Sequence, residues 1–396
     1  MKLCWLIPSD QSGGISPVAL SCCRQAAQAG YETTMLMLLP PSWIGNDYDF
    51  RVISLNLSSS APKAPQVLLQ WLQKNQQDVL FFNGCSEFDP IIAYLHSSVK
   101  CVYVVHDTAP SYWRQAIEDS DNLEAIVAVS ETVANQFRDK LKQPQKLSVI
   151  CNGSVFPEIP NLKDNIIRDE LVFLGGDNPT KGSFDVIKLW KQLVKLGFTG
   201  KLHWFGKMAP EFENKIQQLP NSQQIHIYGY VQRELIFTTA ASAKVLLMLS
   251  RVEPFGMSTI EAMSMGCVPV AWDINTGTKE IVTPQTGLFA PLGNVKVLAK
   301  QVIYACEAYE ILRNAVIERA RSNFNEIVMW NQYESLLKDI SNLKPIERSQ
   351  KDQEIKAFQP PVRHFQLLPP KIRSLIREFI GRSPILGYLL RDLRGW

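Results

Sequence analysis

The stretch VLLMLSRVEPFGMSTIEAMSMGCVPVAW, residues 245–272, predicts one complete building block of a parallel β-sheet protein. It begins with the apolar run VLLMLS (245–250) and ends with the apolar run VPVAW (268–272), as is typical of strands covered on both faces. The intervening STIEAMSMG (258–266) predicts a helix that ends at Gly266. Strand, helix and strand in this order indicate two parallel strands joined by a crossover helix.

The same alternation of apolar runs and helical periodicity continues along the chain. In VIKLWKQLVKL (186–196), for example, the apolar positions repeat at intervals of three and four, as on one face of a helix. The alternation predicts an α/β fold built from doubly wound, Rossmann-like sheets. The predicted strands are KLCWLIP (2–8), TTMLMLL (33–39), RVISLN (51–56), DVLFFNG (78–84), KCVYVVHD (100–107), AIVAVS (125–130), KLSVIC (146–151), LVFLGG (171–176), KLHWFG (201–206), IHIYGYV (225–231), VLLMLS (245–250), VPVAW (268–272) and GLFA (287–290).

The alternation is interrupted at NGSVFPEIPNLKDNIIRDE (152–170), where prolines and asparagines indicate a linker. A chain of 396 residues is long enough for two domains. We therefore predict one Rossmann-like domain over residues 1–155, a linker over 156–169 and a second Rossmann-like domain over 170–324. Ligands of such sheets bind beyond the carboxyl ends of the strands, so the residues that follow each strand matter most.

Composition excludes several other classes of protein. Hydrophobic residues make up 46% and charged residues 20%, as in globular proteins, and the apolar runs are far shorter than the roughly 20 residues of a membrane span. The start, MKLCWLIPSD, predicts a buried strand and lacks the pattern of a signal peptide. The eight cysteines form no C-x-x-C pair, and the five histidines are dispersed, so we expect reduced core thiols in a cytoplasmic protein and no metal. A net charge of +3 gives no case for nucleic acid.

Two glutamates flank the turn between the strand at 245–250 and its helix. Pro254 and Gly256 keep Glu253 in the turn, and the N–H groups around Phe255, Gly256, Met257 and Ser258 form a positively polarised helix start that suits a diphosphate. Glu261, about one turn into the helix, could accept hydrogen bonds from both hydroxyls of a ribose, and Glu253 could accept hydrogen bonds from the hydroxyls of a sugar. Alternatively, Glu253 is a surface loop residue and Glu261 a partner of the helix dipole.

Three other segments follow predicted strands and have polar or glycine residues. Gly13 and Gly14 precede a helix and would let backbone N–H groups approach a phosphate, or form a tight turn only. His106 could bind a ligand hydroxyl or serve a structural role. Lys181 could neutralise a phosphate or lie solvated in its loop, since its context is not that of a Walker A loop.

In these segments the chain resembles the retaining glycosyltransferases of family 4, which have the GT-B fold. The resemblance rests on the E-x7-E pattern of EPFGMSTIE (253–261), which continues through EAMSMGCVPVAWD (261–273). Companion segments match in register: TGTKEIVTPQTGLFAP (276–291), VAVSETVANQF (127–137), VICNGSVF (149–156) and the Lys-Gly at 181–182. The resemblance covers roughly residues 1 to 340. It implies two Rossmann-like domains that face each other across a cleft, with a C-terminal crossover helix over 325–343.

The resemblance implies a nucleoside-diphosphate sugar as donor, bound mainly by the second domain, and a glycan or lipid-linked acceptor on the first. Lys181 would hold the phosphates together with Gly13 and Gly14, Glu261 the ribose, and Glu253 and His106 the sugar. The backbone around Tyr230 and Val231 would flank the base. Such enzymes retain the anomeric configuration, because the leaving phosphate oxygen takes the acceptor's proton on the same face. Neither a cofactor nor a divalent metal is implied, and the one D-x-D, at 119–121, is interpreted as a solvated loop.

The chain departs from the family pattern at one position. The family usually has Gly-Arg-x-x-x-x-Lys-Gly at the head of the second domain, whereas this chain has Gly176 in place of the arginine. A lost cation contact to a buried phosphate could cost on the order of 2–5 kcal/mol unless another cation replaces it. Arg251 and Lys207 are candidates for that replacement. The departure keeps a second hypothesis open, that of a weakened or non-catalytic nucleotide-sugar-binding protein.

The C-terminal region, 344–396, predicts an exposed linker followed by a basic amphipathic segment. In KIRSLIREFIGRSPILGYLLRDLRGW (371–396) apolar residues repeat at intervals of three and four, and six basic residues stand against two acidic ones. Such a segment can lie on an anionic membrane surface. The alternative is a helix packed on the protein or on another subunit. We therefore expect a cytoplasmic enzyme that associates peripherally with a membrane.

Overall fold

The computed structural model describes residues 1–11, 13–45, 47–57, 62–85, 88–160, 168–348, 355, 369–381 and 383. The chain divides into two compact units. Unit 1 consists of Met1–Val155 and Phe324–Val362, and unit 2 of Phe156–Asn323 and Arg363–Trp396. The predicted linker residues 161–167, 349–354 and 356–361 and the tail residues 382 and 384–396 lie outside the described part.

Unit 1 contains a seven-stranded sheet in which every neighbouring pair of strands is parallel. Its strands are β1 (Lys2–Ile7), β2 (Glu32–Met37), β3 (Arg51–Ser54), β4 (Val79–Phe82), β5 (Lys100–Val105), β6 (Ala125–Ala128) and β7 (Leu147–Val149). Its helices are α1 (Ile15–Gln28), α2 (Ala64–Lys74), α3 (Pro110–Glu118), α4 (Glu131–Ala134) and α12 (Glu326–Ser341). The strand order is β3-β2-β1-β4-β5-β6-β7, so the winding direction reverses between β1 and β4.

Aromatic side chains anchor α12 to the sheet of unit 1. Trp5 of β1 stacks on Phe81 of β4 with ring centroids 4.2 Å apart, and Trp330 of α12 lies 6.4 Å from Trp5. Tyr333, one turn further along α12, meets Phe81 edge to face. Burying such large rings contributes about 1.5–3 kcal/mol each. The helix after residue 324 is therefore part of the core of unit 1.

Arg348 corrects the prediction that the segment after α12 is exposed. Residues 341–345 and Glu347 are exposed, but the Arg348 side chain is fully buried, 3.2 Å from the Glu124 carboxylate. The guanidinium also donates to the carbonyls of His96, Val99 and Asn122. No local sequence pattern indicates these partners, which are more than 220 residues away along the chain.

Unit 2 contains a six-stranded parallel sheet with the order β10-β9-β8-β11-β12-β13. Its strands are β8 (Arg168–Leu174), β9 (Lys201–Phe205), β10 (Ile225–Gly229), β11 (Ala243–Met248), β12 (Val268–Trp272) and β13 (Leu288–Ala290). Its helices are α5 (Ser183–Lys195), α6 (Pro210–Gln217), α7 (Arg233–Ser242), α8 (Met257–Ser264), α9 (Thr278–Ile281), α10 (Val295–Glu307), α11 (Tyr309–Asn323) and α13 (Pro370–Gly381). Here the winding direction reverses between β8 and β11.

The predicted fold class is confirmed: each unit is a doubly wound, Rossmann-like α/β structure. All 13 predicted apolar runs form strands, because parallel strands covered by helices are apolar on both faces. Within the described residues, no helix combines the length and apolarity needed to cross a bilayer. Each winding reversal creates a crevice at the carboxyl ends of two neighbouring strands, where ligands of such sheets bind.

Candidate active site

The two central strands of unit 2 bring Lys181 and Glu253 together. Lys181 follows β8 and Glu253 follows β11, so both lie at the winding reversal of this sheet. Lys181 Nζ lies 2.7 Å from Glu253 Oε2. The Glu253 side chain is only 9% exposed, whereas that of Lys181 is 36% exposed. The reversal therefore holds a buried carboxylate next to a cation that is accessible to solvent.

Local hydrogen bonds fix the Lys181 turn, residues 175–182. Asn178 Oδ1 accepts from the N–H of Thr180 at 2.9 Å and begins a short 3-10 helix, Pro179–Lys181. Gly182 closes it with φ +91°, a left-handed conformation that disfavours side chains. A Cβ at this position would also overlap the carbonyl oxygen of Leu249. Glycine at 182 is therefore required for the turn to approach the end of β11.

The buried ion pair between Arg251 and Asp185 holds the Lys181 turn in place. Arg251 Nη2 lies 2.8 Å from Asp185 Oδ2, and neither side chain is more than 1% exposed. The Arg251 guanidinium also donates to Pro179 O, and its backbone N–H donates to Thr180 O at 2.8 Å. Burial raises the pKa of the Asp185 carboxyl, and the charge of Arg251 opposes that rise. These contacts tie the turn to the first turn of α5.

The helix start at Gly256 has the polarity that the sequence predicts. Gly256 has φ +119° and precedes α8, and no side chain caps this helix. Its carbonyl accepts from the N–H groups of Thr259 and Ile260. The N–H groups of Met257 and Ser258 belong to the first turn, whose N–H groups have no partner within the helix. Phe255 is buried, and Gly277 donates to the carbonyl of Glu253 at 2.7 Å, which fixes the turn before the helix.

Glu261 has a partner that the sequence did not indicate. Arg233, at the start of α7, lies 2.5 Å from Glu261 Oε1, and its guanidinium lies 5.0 Å from the centre of the Phe237 ring. The Arg233 side chain is 36% exposed and that of Glu261 is 16% exposed. Such a partly exposed pair contributes little net stability, so a ligand can displace it at low cost.

The loop between β10 and α7 contains the predicted base-flanking residues. Tyr230 is almost fully exposed, whereas Val231 packs against the hydrophobic core that includes Phe237 and Met248. The loop leads directly into Arg233 and so connects to Glu261. Tyr230 and Val231 therefore lie near the ribose-binding candidate, with one side chain facing solvent and the other fixed in the core.

Of the two candidate replacements for the missing arginine, Arg251 is committed elsewhere, whereas the role of Lys207 stays a prediction. Arg251 is committed to Asp185 and to the Lys181 turn, so we correct its proposed role from phosphate ligand to brace. Lys207 is exposed, and its backbone carbonyl lies where a Cβ of residue 176 would be. Gly176 itself has φ +52°. The backbone of this turn thus leaves no room for an arginine at position 176.

In unit 1, Gly13 and Gly14 form an open turn at the carboxyl end of β1. Gly13 has φ +56°, and a Cβ there would meet no atom within 4 Å. Gly14 is the N-cap residue of α1 and, as a glycine, provides no side-chain cap. Both glycines are exposed. The turn therefore presents accessible backbone at the start of a 14-residue helix, as the sequence predicts.

His106, at the carboxyl end of β5, is held in one tautomer by Asn83. The Asn83 amide group donates to the carbonyls of Leu6 and Phe81, each at 3.1 Å, so its oxygen faces the imidazole. His106 Nε2 lies 2.9 Å from that oxygen and must carry the proton, which leaves Nδ1 as an acceptor. Burial lowers the pKa of His106 to about 4. The ring is therefore neutral near pH 7, and its Nδ1 can accept a hydrogen bond from a hydroxyl group.

The acidic segment at 119–121 is only partly solvated. Asp119 is half-buried and accepts from the side chains of Gln115 and Asn122, which corrects the interpretation of this segment as a solvated loop. Asp121 is exposed and lies 3.4 Å from Lys142 Nζ. Among the residues that the structure describes, no group of three or more His, Cys, Asp or Glu is arranged to hold a metal ion.

Sequence reasoning missed three residues that support the site. Asp185 pairs with Arg251, Arg233 pairs with Glu261, and Asn83 orients His106. A usable signal existed only for Asn83, since it directly follows the apolar run of β4 and so lies at the ligand-binding edge. The other two contacts join residues 66 and 28 positions apart, and no local pattern indicates them.

Family models match both units of the chain. The sequence model of glycosyltransferase family 4 matches residues 12–154, and that of the glycosyl transferases group 1 matches residues 161–323. Among curated relatives, the N-acetyl-alpha-D-glucosaminyl L-malate synthase of Bacillus anthracis is 25% identical over 268 residues, which is 63% of this chain and 68% of the relative. The matched stretches span between 61% and 68% of the length of the three curated relatives.

Solved structures share the fold. A glycosyltransferase from Rickettsia africae superposes with a TM-score of 0.71 at 17% identity, covering 86% of this chain and 98% of the other. The HepE protein of Anabaena, crystallised with UDP and glucose, gives a TM-score of 0.69 at 17% identity, covering 86% of this chain and all of the other. With both family models matching and each unit doubly wound, the chain belongs to the group 1 glycosyltransferases of family 4 and is a glycosyltransferase of the GT-B fold class.

Proposed function

We propose that the chain transfers a hexosyl-type sugar from a nucleoside-diphosphate sugar to a glycan or lipid-linked acceptor, with retention of configuration and without a metal ion. The observation that carries the proposal is the pairing of Lys181 with Glu253 beside the uncapped start of α8. A diphosphate needs positive charge and N–H donors, and a sugar needs carboxylate acceptors. This crevice supplies both within one turn.

Donor binding would exchange one set of ion pairs for another. The diphosphate would attract Lys181, whose side chain is already 36% exposed, and so release the carboxylate of Glu253. The released carboxylate would then accept hydrogen bonds from the sugar hydroxyls. Because the Glu253 carboxylate is buried, the exchange is favourable only if the sugar hydroxyls replace Lys181 as its hydrogen-bond partners. Glu253 is thereby kept away from the sugar site until a phosphate has arrived.

The same exchange is proposed for Glu261. Its carboxylate lies 2.5 Å from Arg233 and would turn to the two ribose hydroxyls when the nucleotide enters. Arg233 would then be available to the diphosphate, which makes it our candidate for the cation that Gly176 does not provide. Tyr230 and Val231 would flank the base, with the exposed ring of Tyr230 able to cover it.

Retention of configuration requires little of the protein beyond positioning and charge stabilisation. The acceptor hydroxyl would attack the anomeric carbon, and its proton would pass to the leaving phosphate oxygen on the same face. Lys181 and the α8 N–H groups would stabilise the departing diphosphate. His106 would accept a hydrogen bond from a sugar hydroxyl through Nδ1, and Gly13 and Gly14 would bind phosphate oxygen through backbone N–H groups.

A uridine nucleotide is the donor class that the relatives favour. HepE was crystallised with UDP and glucose, and the Bacillus anthracis relative is named as an N-acetylglucosaminyl enzyme. Both names describe those proteins, and we extend them to this chain only as the first choice among donors.

A donor-hydrolysis panel tests the proposal. We expect slow hydrolysis of one donor among UDP-, GDP-, ADP- and dTDP-sugars, UDP being the first candidate, and a loss of about 100-fold in Glu253→Gln. Glu211→Gln, an exposed glutamate of α6, serves as the matched control and should behave as the wild type. Donor binding without turnover, unaffected by Glu253→Gln, would instead support a nucleotide-sugar-binding protein. Absence of binding to every donor would overturn the proposal.

A further inference from the structure

Helix α13 exposes one apolar face to solvent. Ile372, Leu375 and Phe379 are 44%, 67% and 70% exposed. They are spaced at intervals of three and four, so they lie on one side of the helix. Scattered single apolar residues are normal on protein surfaces, but an aligned row of three on one short helix marks an interaction surface.

Helix α13 also contacts the rest of unit 2. Glu378 lies 2.6 Å from Lys215 of α6, and the helix contacts the 3-10 helix Pro179–Lys181 of the Lys181 turn. The only acidic residue in the sequence of α13 is thus neutralised by a partner on the protein. Lys371 is exposed beside the apolar row. The exposed side of the helix therefore combines the apolar row with the positive charge of Lys371.

We propose that α13 docks the enzyme onto an anionic lipid bilayer, with Ile372, Leu375 and Phe379 entering the headgroup region. Charge decides between occupants of this face: the sequence of α13 has three basic residues and one acidic residue, and that acidic residue is already paired with Lys215, which favours an anionic surface. A second copy of the same helix would bring like charges together, which is unfavourable. An apolar face combined with basic residues is the pattern of helices that lie in the membrane interface.

Docking has a consequence for the donor site. Because α13 contacts the Lys181 turn within one unit, a bilayer bound to α13 lies beside the candidate phosphate-binding turn. An enzyme held in this way would meet acceptors that are themselves anchored in the lipid surface. This step rests on the proposed function, whereas lipid binding by α13 does not depend on transfer chemistry.

Vesicle cosedimentation of the full chain tests the proposal. We compare vesicles of phosphatidylcholine alone with vesicles in which phosphatidylglycerol makes up about a third of the lipid. The wild type should bind the anionic vesicles at least about tenfold more tightly, and added salt should weaken binding. The double substitution Leu375→Glu with Phe379→Glu should reduce binding about tenfold or more. Ile311→Glu, at an exposed apolar position of α11 in the same unit, is the matched control and should bind as the wild type does.

Three outcomes would overturn the inference. The first is equal binding of the wild type to both kinds of vesicle, and the second is vesicle binding by the double variant that equals that of the wild type. The third is a wild type that is dimeric in solution and becomes monomeric in the double variant, because the apolar row would then bind a second copy of the chain. Thermal unfolding of each variant serves as the control that its fold is intact. Donor hydrolysis, measured without vesicles, reports separately on the proposed function, so failure of one claim does not imply failure of the other.

Discussion

Replacing Asp185 by asparagine tests how the Lys181 turn is held in place. The substitution removes the negative charge that lies 2.8 Å from the Arg251 guanidinium, in a place where neither side chain is more than 1% exposed. Arg251 would then remain buried after losing the carboxylate of Asp185. Breaking a buried pair from one side costs about 3–5 kcal/mol. We therefore expect unit 2 to melt on the order of 10 °C lower than in the wild type.

The control for this prediction is an exposed ion pair in the same unit. Asp169 lies 2.7 Å from Lys244, but its side chain is 56% exposed. Asp169→Asn should therefore cost less than about 1 kcal/mol. The double substitution Asp185→Leu with Arg251→Met should recover much of the stability lost in Asp185→Asn, because apolar residues of similar size often replace a buried pair without loss.

Thermal and urea unfolding, each followed by circular dichroism, measure these differences. UDP binding provides a second readout, because loosening the turn that positions Lys181 should weaken nucleotide affinity in Asp185→Asn but not in Asp169→Asn. If Asp185→Asn and Asp169→Asn change stability equally, the assignment of Arg251 as the brace of the turn is wrong.

Three further predictions concern other parts of the chain. Gly176→Arg, which restores the residue usual in the family, should destabilise the protein more than Gly13→Ala, because a Cβ at 176 would overlap the backbone of Lys207 whereas a Cβ at 13 would meet no atom. The same substitution should not tighten UDP binding, and tighter UDP binding would contradict this explanation. Burial lowers the pKa of His106 to about 4, so below about pH 6.5 the unfolded chain takes up a proton that the folded chain does not. The free energy of unfolding should therefore fall as the pH is lowered from 6.5 to 4, and it should fall less in His106→Gln. Seven of the eight cysteines are buried and only Cys151 is partly accessible, so a thiol reagent should modify at most one cysteine quickly in the native protein and all eight in denaturant; two fast thiols would refute the burial pattern.

The sequence predicted the strands and the turn at Gly256 because their determinants are local. Parallel strands covered on both faces appear as apolar runs, and Gly256 and Gly266 bound α8 at positions where φ is positive. Glu253 and Lys181 could also be placed, since each follows a central strand of unit 2. The positions of residues that follow the central strands can thus be predicted from the sequence.

Partnerships between distant residues could not be predicted. Arg251 was a candidate phosphate ligand from its position beside Glu253, yet the structure pairs it with Asp185. Arg348 was assigned to an exposed linker, yet it is buried beside Glu124. Whether an arginine faces solvent or a buried carboxylate depends on tertiary packing, and neither periodicity nor turn chemistry contains that information.

A crystal structure of the full chain with UDP-glucose, or with the donor identified by the hydrolysis panel, tests the central claim most directly. We predict that the diphosphate oxygens lie within about 3 Å of Lys181 Nζ and of the N–H groups of Met257 and Ser258. Glu261 should have left Arg233 for the ribose hydroxyls, and Glu253 should contact the sugar. A diphosphate bound elsewhere, with the Lys181–Glu253 and Arg233–Glu261 pairs intact, would contradict the account.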